Sequence, residues 1–279
     1  MHHGGHHVEV GAKGHPAEAT AYPIGDSHQP RSVTVTDRLM ALCWHGRSHP
    51  RAAVCDCLGT TPTRRPHMPR TARHMPPGAT YHLTTRGTNK RAIFDDDADR
   101  NRFLRYLGSA TQRYAWASLA YCLMGNHVHL VVTGDPDAIS AGMRDVLGAH
   151  ARAYNKRHQR SGHLFGERFH HVVITEHDQM VAALRYVALN PVRAGLVRRP
   201  EDWPWSSYTA MVIGKIPSGT LDLGRLAPLF VRPGGRAGDT QRAFRRVVEA
   251  GTADAIALAE RRPIRARRSG PVTVTRGSG

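Results

Sequence analysis

The hydrophobic positions of the chain change their spacing several times between residues 80 and 190, and each change marks a predicted element. Runs in which apolar and polar residues alternate predict β-strands, because successive side chains of a strand point to opposite faces. Apolar residues three and four positions apart predict helices, as where Phe103, Leu104 and Leu107 follow an acidic cluster suited to a helix N-terminus. The predicted order is strand 80–86, helix 97–113, strands 117–123 and 127–133, helix 138–157, strand 169–175 and helix 177–189.

This order of elements predicts an α+β fold. Short strands interrupted by helices suit a small ferredoxin-like antiparallel sheet with helices packed on one face. The segment between Leu123 and His127 is short enough to join two neighbouring strands. The last helix is expected to stop at Pro191, because proline has no backbone N–H to continue the hydrogen-bond ladder.

Composition narrows the choice of partner. The chain has a formal net charge of +17 and a pI near 10.8. Such an excess favours nucleic acid, because phosphates neutralised by Lys and Arg release counterions. No apolar run is long enough for a membrane span, and we expect no secretory signal. The cysteines are not spaced as in a zinc site and are expected to be reduced thiols in the cytoplasm: Cys43, Cys55, Cys57 and Cys122.

Two histidines separated by one aliphatic residue are the most informative pair in the chain. His127 and His129 flank Val128 in a predicted strand, so both imidazoles point to one face. Two nitrogens on one face could bind a divalent metal. Taken alone, two alternating histidines are more often ordinary strand residues.

Tyr186 and Asn190 could complete such a site. They lie four residues apart on the last predicted helix and therefore share a helix face. An amide oxygen is a ligand that a hard cation such as Mg²⁺ or Mn²⁺ accepts. The residues thus predict a metal bound by His127, His129 and Asn190 beside a phenol.

Five stretches of the sequence resemble the REP-associated tyrosine transposases, which are single-tyrosine members of the histidine-hydrophobic-histidine superfamily. Their order and spacing match together over about half of the chain, which makes the resemblance specific. The stretches are GATYHLTTRG at 78–87, NHVH at 126–129, SGHLFGERF at 161–169, YVALNPVRAGL at 186–196 and WPWSSY at 203–208.

The resemblance implies a transposase that cuts single-stranded DNA near a hairpin or imperfect palindrome. The metal ligands of the family fall on His127, His129 and Asn190, and its nucleophile falls on Tyr186. The wider superfamily often has Gln in place of Asn190, whose side chain is one methylene shorter. Tyr186 would displace a 3′-hydroxyl and remain joined to the 5′ end of the DNA.

The resemblance also divides the chain into three parts. Residues 68–213 are interpreted as the catalytic domain, active as a monomer or as a homodimer. Residues 1–67 are rich in histidine and turn-forming residues and are interpreted as a disordered leader, with Met68 as the hypothetical native start. Residues 214–279 are interpreted as a basic C-terminal extension with helices over 242–250 and 253–261 and a basic tail.

Several residues beside these motifs are candidates for DNA contact. Trp203, Trp205 and Tyr208 could stack on unpaired bases, although a small clasp within the core is the favoured interpretation of the two tryptophans. The candidates for binding phosphates are Arg86, Lys90, Arg91, Arg160 and Arg168.

Alternatives stay open for the nucleophile and for the function. Tyr154, with His158 four residues later, is a rival nucleophile, although a packing role suits it equally. A domesticated protein that binds hairpin DNA without cutting it is one rival function. A replication-initiator-type nickase is another, but such enzymes usually show a longer histidine cluster or paired tyrosines.

Overall fold

The computed structural model describes residues 75–231 and 237–261. It contains one four-stranded sheet in the order β2-β3-β1-β4, in which every neighbouring pair is antiparallel. One helix joins β1 to β2 and another joins β3 to β4, so the predicted α+β, ferredoxin-like arrangement is confirmed. The strands are β1 Thr80–Arg86, β2 Ala117–Leu123, β3 His127–Thr133 and β4 His170–Ile174.

Three long helices accompany the sheet, and shorter ones follow them. Aspartate side chains cap the first two: Asp96 accepts from the backbone of Asp99, and Asp135 accepts from Asp137 and Ala138. The helices are α1 Asp97–Arg113, α2 Pro136–Arg157, α3 His177–Arg193, α4 Ser207–Val212, α5 Leu223–Leu226, α6 Ala237–Glu249 and α7 Thr252–Glu260, with 3-10 turns at Thr88–Lys90, Pro200–Asp202 and Ala227–Leu229.

The sheet is covered on both of its faces near the middle. Every residue of β2, and every residue of β3 except Thr133, is buried, although alternate residues point to opposite sides. The helices α1 and α2 pack against each other, while α3 packs against β2 and β3. Helix α3 therefore lies across the sheet, where it can present side chains to the strands.

Helix α3 does not stop at Pro191, contrary to the expectation from the sequence. It continues to Arg193 with the proline inside its last turn. A proline there removes one backbone hydrogen bond, to the carbonyl four residues earlier. The burial of Pro191 and Val192 offsets that loss, and the following turn is closed by the backbone N–H of Ala194, which donates to Asn190.

The chain after α3 covers the edge of the sheet formed by β2. The backbone N–H of Leu123 donates to the carbonyl of Trp205 at 2.9 Å, and the Trp203 indole donates to the carbonyl of Leu123 at 3.2 Å. Both tryptophans and Tyr208 are buried, which confirms the interpretation as a core clasp. These aromatic rings are therefore removed from the candidates for base stacking.

The C-terminal helices pack against the helix that carries Tyr186. Both α6 and α7 contact α3, and Phe244 of α6 lies edge-on against Tyr208. Both predicted helices are present, and each begins before its expected first residue. The leader 1–67, the basic tail and Cys43, Cys55 and Cys57 lie outside the described residues. Among the residues that are described, no helix combines the length and the apolar character that crossing a membrane requires.

Candidate active site

The register of the sheet places an arginine beside the paired histidines. In the antiparallel pair of β1 and β3, Arg86 stands opposite His127 and Thr84 stands opposite His129. Residues directly opposite each other in such a pair point to the same face. The two imidazoles, the guanidinium and the Thr84 hydroxyl therefore share one surface of the sheet.

His127 and His129 each have a polar side chain next to the Nδ1 atom of the ring. The Nδ1 atom of His127 lies 2.6 Å from the amide oxygen of Asn126, and that of His129 lies 3.0 Å from Nε2 of His82. The rings of His82 and His129 are stacked, with centroids 5.1 Å apart. A partner at Nδ1 fixes the tautomer in which Nε2 can bind a metal. The Nε2 atom of His129 is buried and makes no hydrogen bond.

Burial keeps these histidines neutral. Loss of solvent lowers the pKa of His127 to about 3 and that of His82 to about 4, and it holds the pKa of His129 well below the ordinary value. The charge of Arg86 acts in the same direction on His127 and His129. Neutral imidazole is the form that ligates a metal.

Helix α3 brings both of its predicted site residues onto this face. Asn190 is buried, with 4 % of its surface exposed, and its side chain lies close enough to His127 to act on that imidazole, whose pKa it raises against the larger effect of burial. The half-buried ring of Tyr186 lies edge-on to His129, with centroids 5.6 Å apart, and edge-on to His82 at 5.8 Å. The two histidines, the carboxamide and the phenol predicted from the sequence therefore meet at one place.

The donor set is small for a metal site. Across the described residues, no three His, Cys, Asp or Glu side chains are grouped to hold an ion. A metal here would take two imidazole nitrogens, the Asn190 amide oxygen and oxygens from outside the chain. The buried Nε2 of His129, which makes no hydrogen bond, fits a ligand role.

Three loops meet at the His127 end of the sheet and carry most of the predicted phosphate contacts. Backbone hydrogen bonds join Gly87 to Asn126 at 3.0 Å, Thr88 to Leu164 at 2.9 Å and Gly166 to Arg86 at 3.1 Å. Arg86 is half-buried at the centre of this junction. The exposed cations on or next to these loops are Lys90, Arg91, Arg160 and Arg168.

Tyr154 has a different environment from Tyr186. It is fully buried, its hydroxyl donates to a carboxylate oxygen of Asp95 at 2.8 Å, and Arg160 donates to that hydroxyl at 3.3 Å. Burial and the Asp95 charge raise the pKa of Tyr154 to about 12. Both effects oppose formation of a phenolate, so the packing role fits Tyr154 better than that of a nucleophile.

The sequence did not point to two residues that the structure places in the site. His82 alternates with Thr84 and Arg86 along β1, which is a signal that it shares their face. Arg193 lies seven residues after Tyr186, or about two helical turns, but the expected stop at Pro191 hid that relation. Its guanidinium carbon lies 5.0 Å from the centroid of the Tyr186 ring.

Part of the chain is similar in sequence to known transposases. Residues 77–190 match the family model described as "Transposase IS200 like". A Haemophilus influenzae protein named "Putative REP-associated tyrosine transposase" is 27% identical over 119 residues, which cover 39% of this chain and 68% of that protein. The solved structure of a REP-associated tyrosine transposase bound to a REP hairpin aligns at 20% identity and a TM-score of 0.46, over 54% of this chain and 89% of the other.

Proposed function

We propose that the chain is a member of the IS200-like transposase family, whose model matches residues 77–190, and that it cuts and rejoins single-stranded DNA near a hairpin. The proposed nucleophile is Tyr186, and the proposed intermediate is a 5′-phosphotyrosine. The choice of a hairpin substrate follows from the resemblance of the five sequence stretches to the REP-associated tyrosine transposases.

One observation carries this proposal. Helix α3 delivers Asn190 to His127 and the Tyr186 ring to His129 at the same time. A structural tyrosine needs only packing and a partner for its hydroxyl, as Tyr154 has. A phenol beside two neutral imidazoles and an amide is arranged for metal-assisted attack on a phosphate.

The proposed metal is Mg²⁺ or Mn²⁺, held by His127, His129 and Asn190. The chemistry that such an ion supplies when bound is neutralisation and polarisation of the scissile phosphate. The partners of the histidines, Asn126 and His82, hold the rings in place for this role.

The reaction exchanges one phosphodiester bond for another. The Tyr186 oxygen loses its proton and bonds to phosphorus, while the bond from phosphorus to the 3′ oxygen breaks and that oxygen gains a proton. The charge of Arg86 acts on Tyr186 and favours the phenolate form. Attack by another 3′-hydroxyl on the phosphotyrosine reverses these changes, so rejoining needs no nucleotide hydrolysis.

The basic rim of the site supports a single-stranded substrate. Arg86 lies at the junction of three loops, and the exposed cations around it could bind the phosphates that flank the cleavage point. These cations are Lys90, Arg91, Arg160 and Arg168. The simplest active unit is a monomer, because Tyr186 reaches the histidines of its own chain. The proposed compartment is the cytoplasm.

The test uses end-labelled single-stranded hairpin DNA with Mg²⁺ or Mn²⁺. The wild-type protein is expected to form a covalent adduct that survives denaturing electrophoresis, and Tyr186→Phe is expected to form none. Tyr154→Phe is the matched control and should retain the adduct. Tight hairpin binding without any adduct, over several hairpins and both metals, would contradict cleavage and favour the domesticated binding protein.

A further inference from the structure

Arg193 lies against the proposed nucleophile. It is the last residue of α3, is half-buried, and holds its guanidinium carbon 5.0 Å from the centroid of the Tyr186 ring. A cation over an aromatic face at this distance is a stabilising contact. The same contact places a permanent positive charge within side-chain reach of the reacting phenol.

The other arginines that stack on aromatic rings have a carboxylate close by. Arg100 lies over Phe94, Trp203 and Trp205 and pairs with Asp97. Arg113 stacks on Tyr114 and Arg160 stacks on Tyr154, and the hydroxyls of these tyrosines donate to Asp145 and Asp95, respectively. Arg100 is the buried member of this group and has an ion-pair partner, whereas Arg113 and Arg160 are exposed, so that water can solvate their charges.

Arg193 differs from all three of those arginines. It is half-buried, and within residues 75–231 and 237–261 it takes part in no ion pair with Asp or Glu. A second cation, Arg86, also interacts electrostatically with Tyr186. Two positive charges therefore flank one phenol, an arrangement that an incoming anion would stabilise.

We propose that Arg193 is a further active-site residue, which holds the Tyr186 ring and binds the phosphate while it is joined to that tyrosine. This inference rests on the proposed function. A helix-terminal cation also interacts favourably with the helix dipole, but Lys would serve that purpose equally. A planar guanidinium can stack on the ring and donate to two phosphate oxygens at once.

Arg193 contributes to both steps of the reaction, cleavage and rejoining. During cleavage, negative charge gathers on the phosphate oxygens as the bond from the Tyr186 oxygen forms and the bond to the 3′ oxygen breaks. During rejoining, a 3′ oxygen loses its proton and bonds to phosphorus, while the bond from phosphorus to the Tyr186 oxygen breaks and the phenolate takes the electron pair. A guanidinium fixed beside the ring stabilises the charge in both steps without rearrangement.

The experiment measures single-turnover cleavage and rejoining at saturating hairpin DNA with Mn²⁺. Arg193→Ala is expected to slow both steps about 100-fold, which is typical for the loss of one preorganised donor. Guanidinium chloride, at concentrations well below those that denature proteins, is expected to restore part of the lost rate. Arg193→Lys is expected to be slower than the wild type, because Lys cannot stack and donate in a fork.

Arg198→Met is the matched control, since it removes an exposed positive charge five residues further along the chain. It should cleave at the wild-type rate. If Arg193→Ala cleaves as fast as the wild type, or if Arg193→Lys restores the full rate, the proposal for Arg193 is wrong while the proposed function stands. If the wild-type protein forms no adduct, the proposed function itself fails.

Discussion

His82 illustrates how one side chain can hold a proposed metal ligand in place. Its Nε2 atom lies 3.0 Å from Nδ1 of His129, and the two rings are stacked with 15° between their planes. A residue in this position fixes the ring of a ligand and its tautomer. His82 is thus a positioning residue for the proposed metal site.

The substitution His82→Phe tests this role, because it keeps a stacked ring and removes the nitrogen. The affinity for Mn²⁺, measured by titration calorimetry, is expected to fall about 10- to 100-fold. The control is His177→Phe, which changes an exposed histidine at the start of α3 and should leave the affinity unchanged. If His82→Phe binds Mn²⁺ as tightly as the wild type, His82 does not position His129 as a metal ligand.

At the scale of elements, the C-terminal helices pack against the helix that carries Tyr186, the proposed nucleophile. Phe244 is buried, with 2 % of its surface exposed, and packs on Tyr208 and Phe230 with ring centroids 5.7 and 5.3 Å away. Because α6 and α7 both contact α3, the loss of this anchor weakens the support of Tyr186.

Phe244→Ala is therefore expected to lower the free energy of unfolding by about 3–5 kcal/mol, the usual cost of a large cavity in a core. Urea denaturation measures this change. Leu258→Ala on α7 is the control, because that side chain is 38% exposed and its removal should cost far less. A loss below about 1 kcal/mol for Phe244→Ala would show that α6 does not anchor this part of the molecule.

Most elements between residues 80 and 193 could be predicted because each carries its own local signal. The bounds of β1, α1, β2 and β3 are those expected from apolar spacing, and glycines such as Gly87 and Gly134 follow two of the strands. The end of α3 could not be predicted in this way. The local preference of Pro191 to stop a helix was overridden by tertiary burial.

The candidate site was predictable in its parts but not in its contacts. The pairing of His127 and His129 follows from alternation along one strand, and that of Tyr186 and Asn190 follows from one helix. That Asn190 meets His127 depends on how α3 crosses the sheet, which no local pattern encodes. The contacts of His82 and Arg193 depend on the same packing.

For the whole molecule, the net charge of +17 predicts DNA binding that weakens steeply with salt. If Lys90 and Arg91 each bind a phosphate, the double substitution to Ala should reduce the slope of log K against log salt by about 1.4, or about 0.7 per contact on a single strand. Fluorescence anisotropy at several salt concentrations measures the slope. Arg242→Ala, which removes an arginine paired with Asp239, should leave it nearly unchanged. An unchanged slope for the double variant would contradict phosphate contact by Lys90 and Arg91.

The buried histidines predict that stability depends on pH. Their pKa values are lower in the folded protein, about 4 for His82 and about 3 for His127, than the ordinary value of 6.5. The unfolded chain therefore binds more protons as the pH falls below 6.5, and stability is lost from pH 6.5 down to about 4 through His82 and down to about 3 through His127. The pKa of Asp96, held at about 2 by Arg157, affects stability only at lower pH.

Each of these histidines should contribute a loss of about 1.4 kcal/mol per pH unit below about pH 6. Urea unfolding in the presence of a chelator, repeated at several pH values, measures the loss. His82→Phe should reduce the loss of unfolding free energy per pH unit by the contribution of one histidine. A stability that stays constant from pH 7 to pH 5 would contradict the burial of neutral imidazoles at the site.

The most direct test of the account is to identify the residue that becomes joined to DNA. Nuclease would shorten the DNA of the adduct formed with a hairpin, and trypsin, which cuts after Arg185 and Arg193, would then digest the protein. The masses of the peptides would be measured by mass spectrometry. We expect a nucleotide on Tyr186 in the peptide 186–193. A nucleotide on the peptide that contains Tyr154, with residues 186–193 unmodified, would contradict the account.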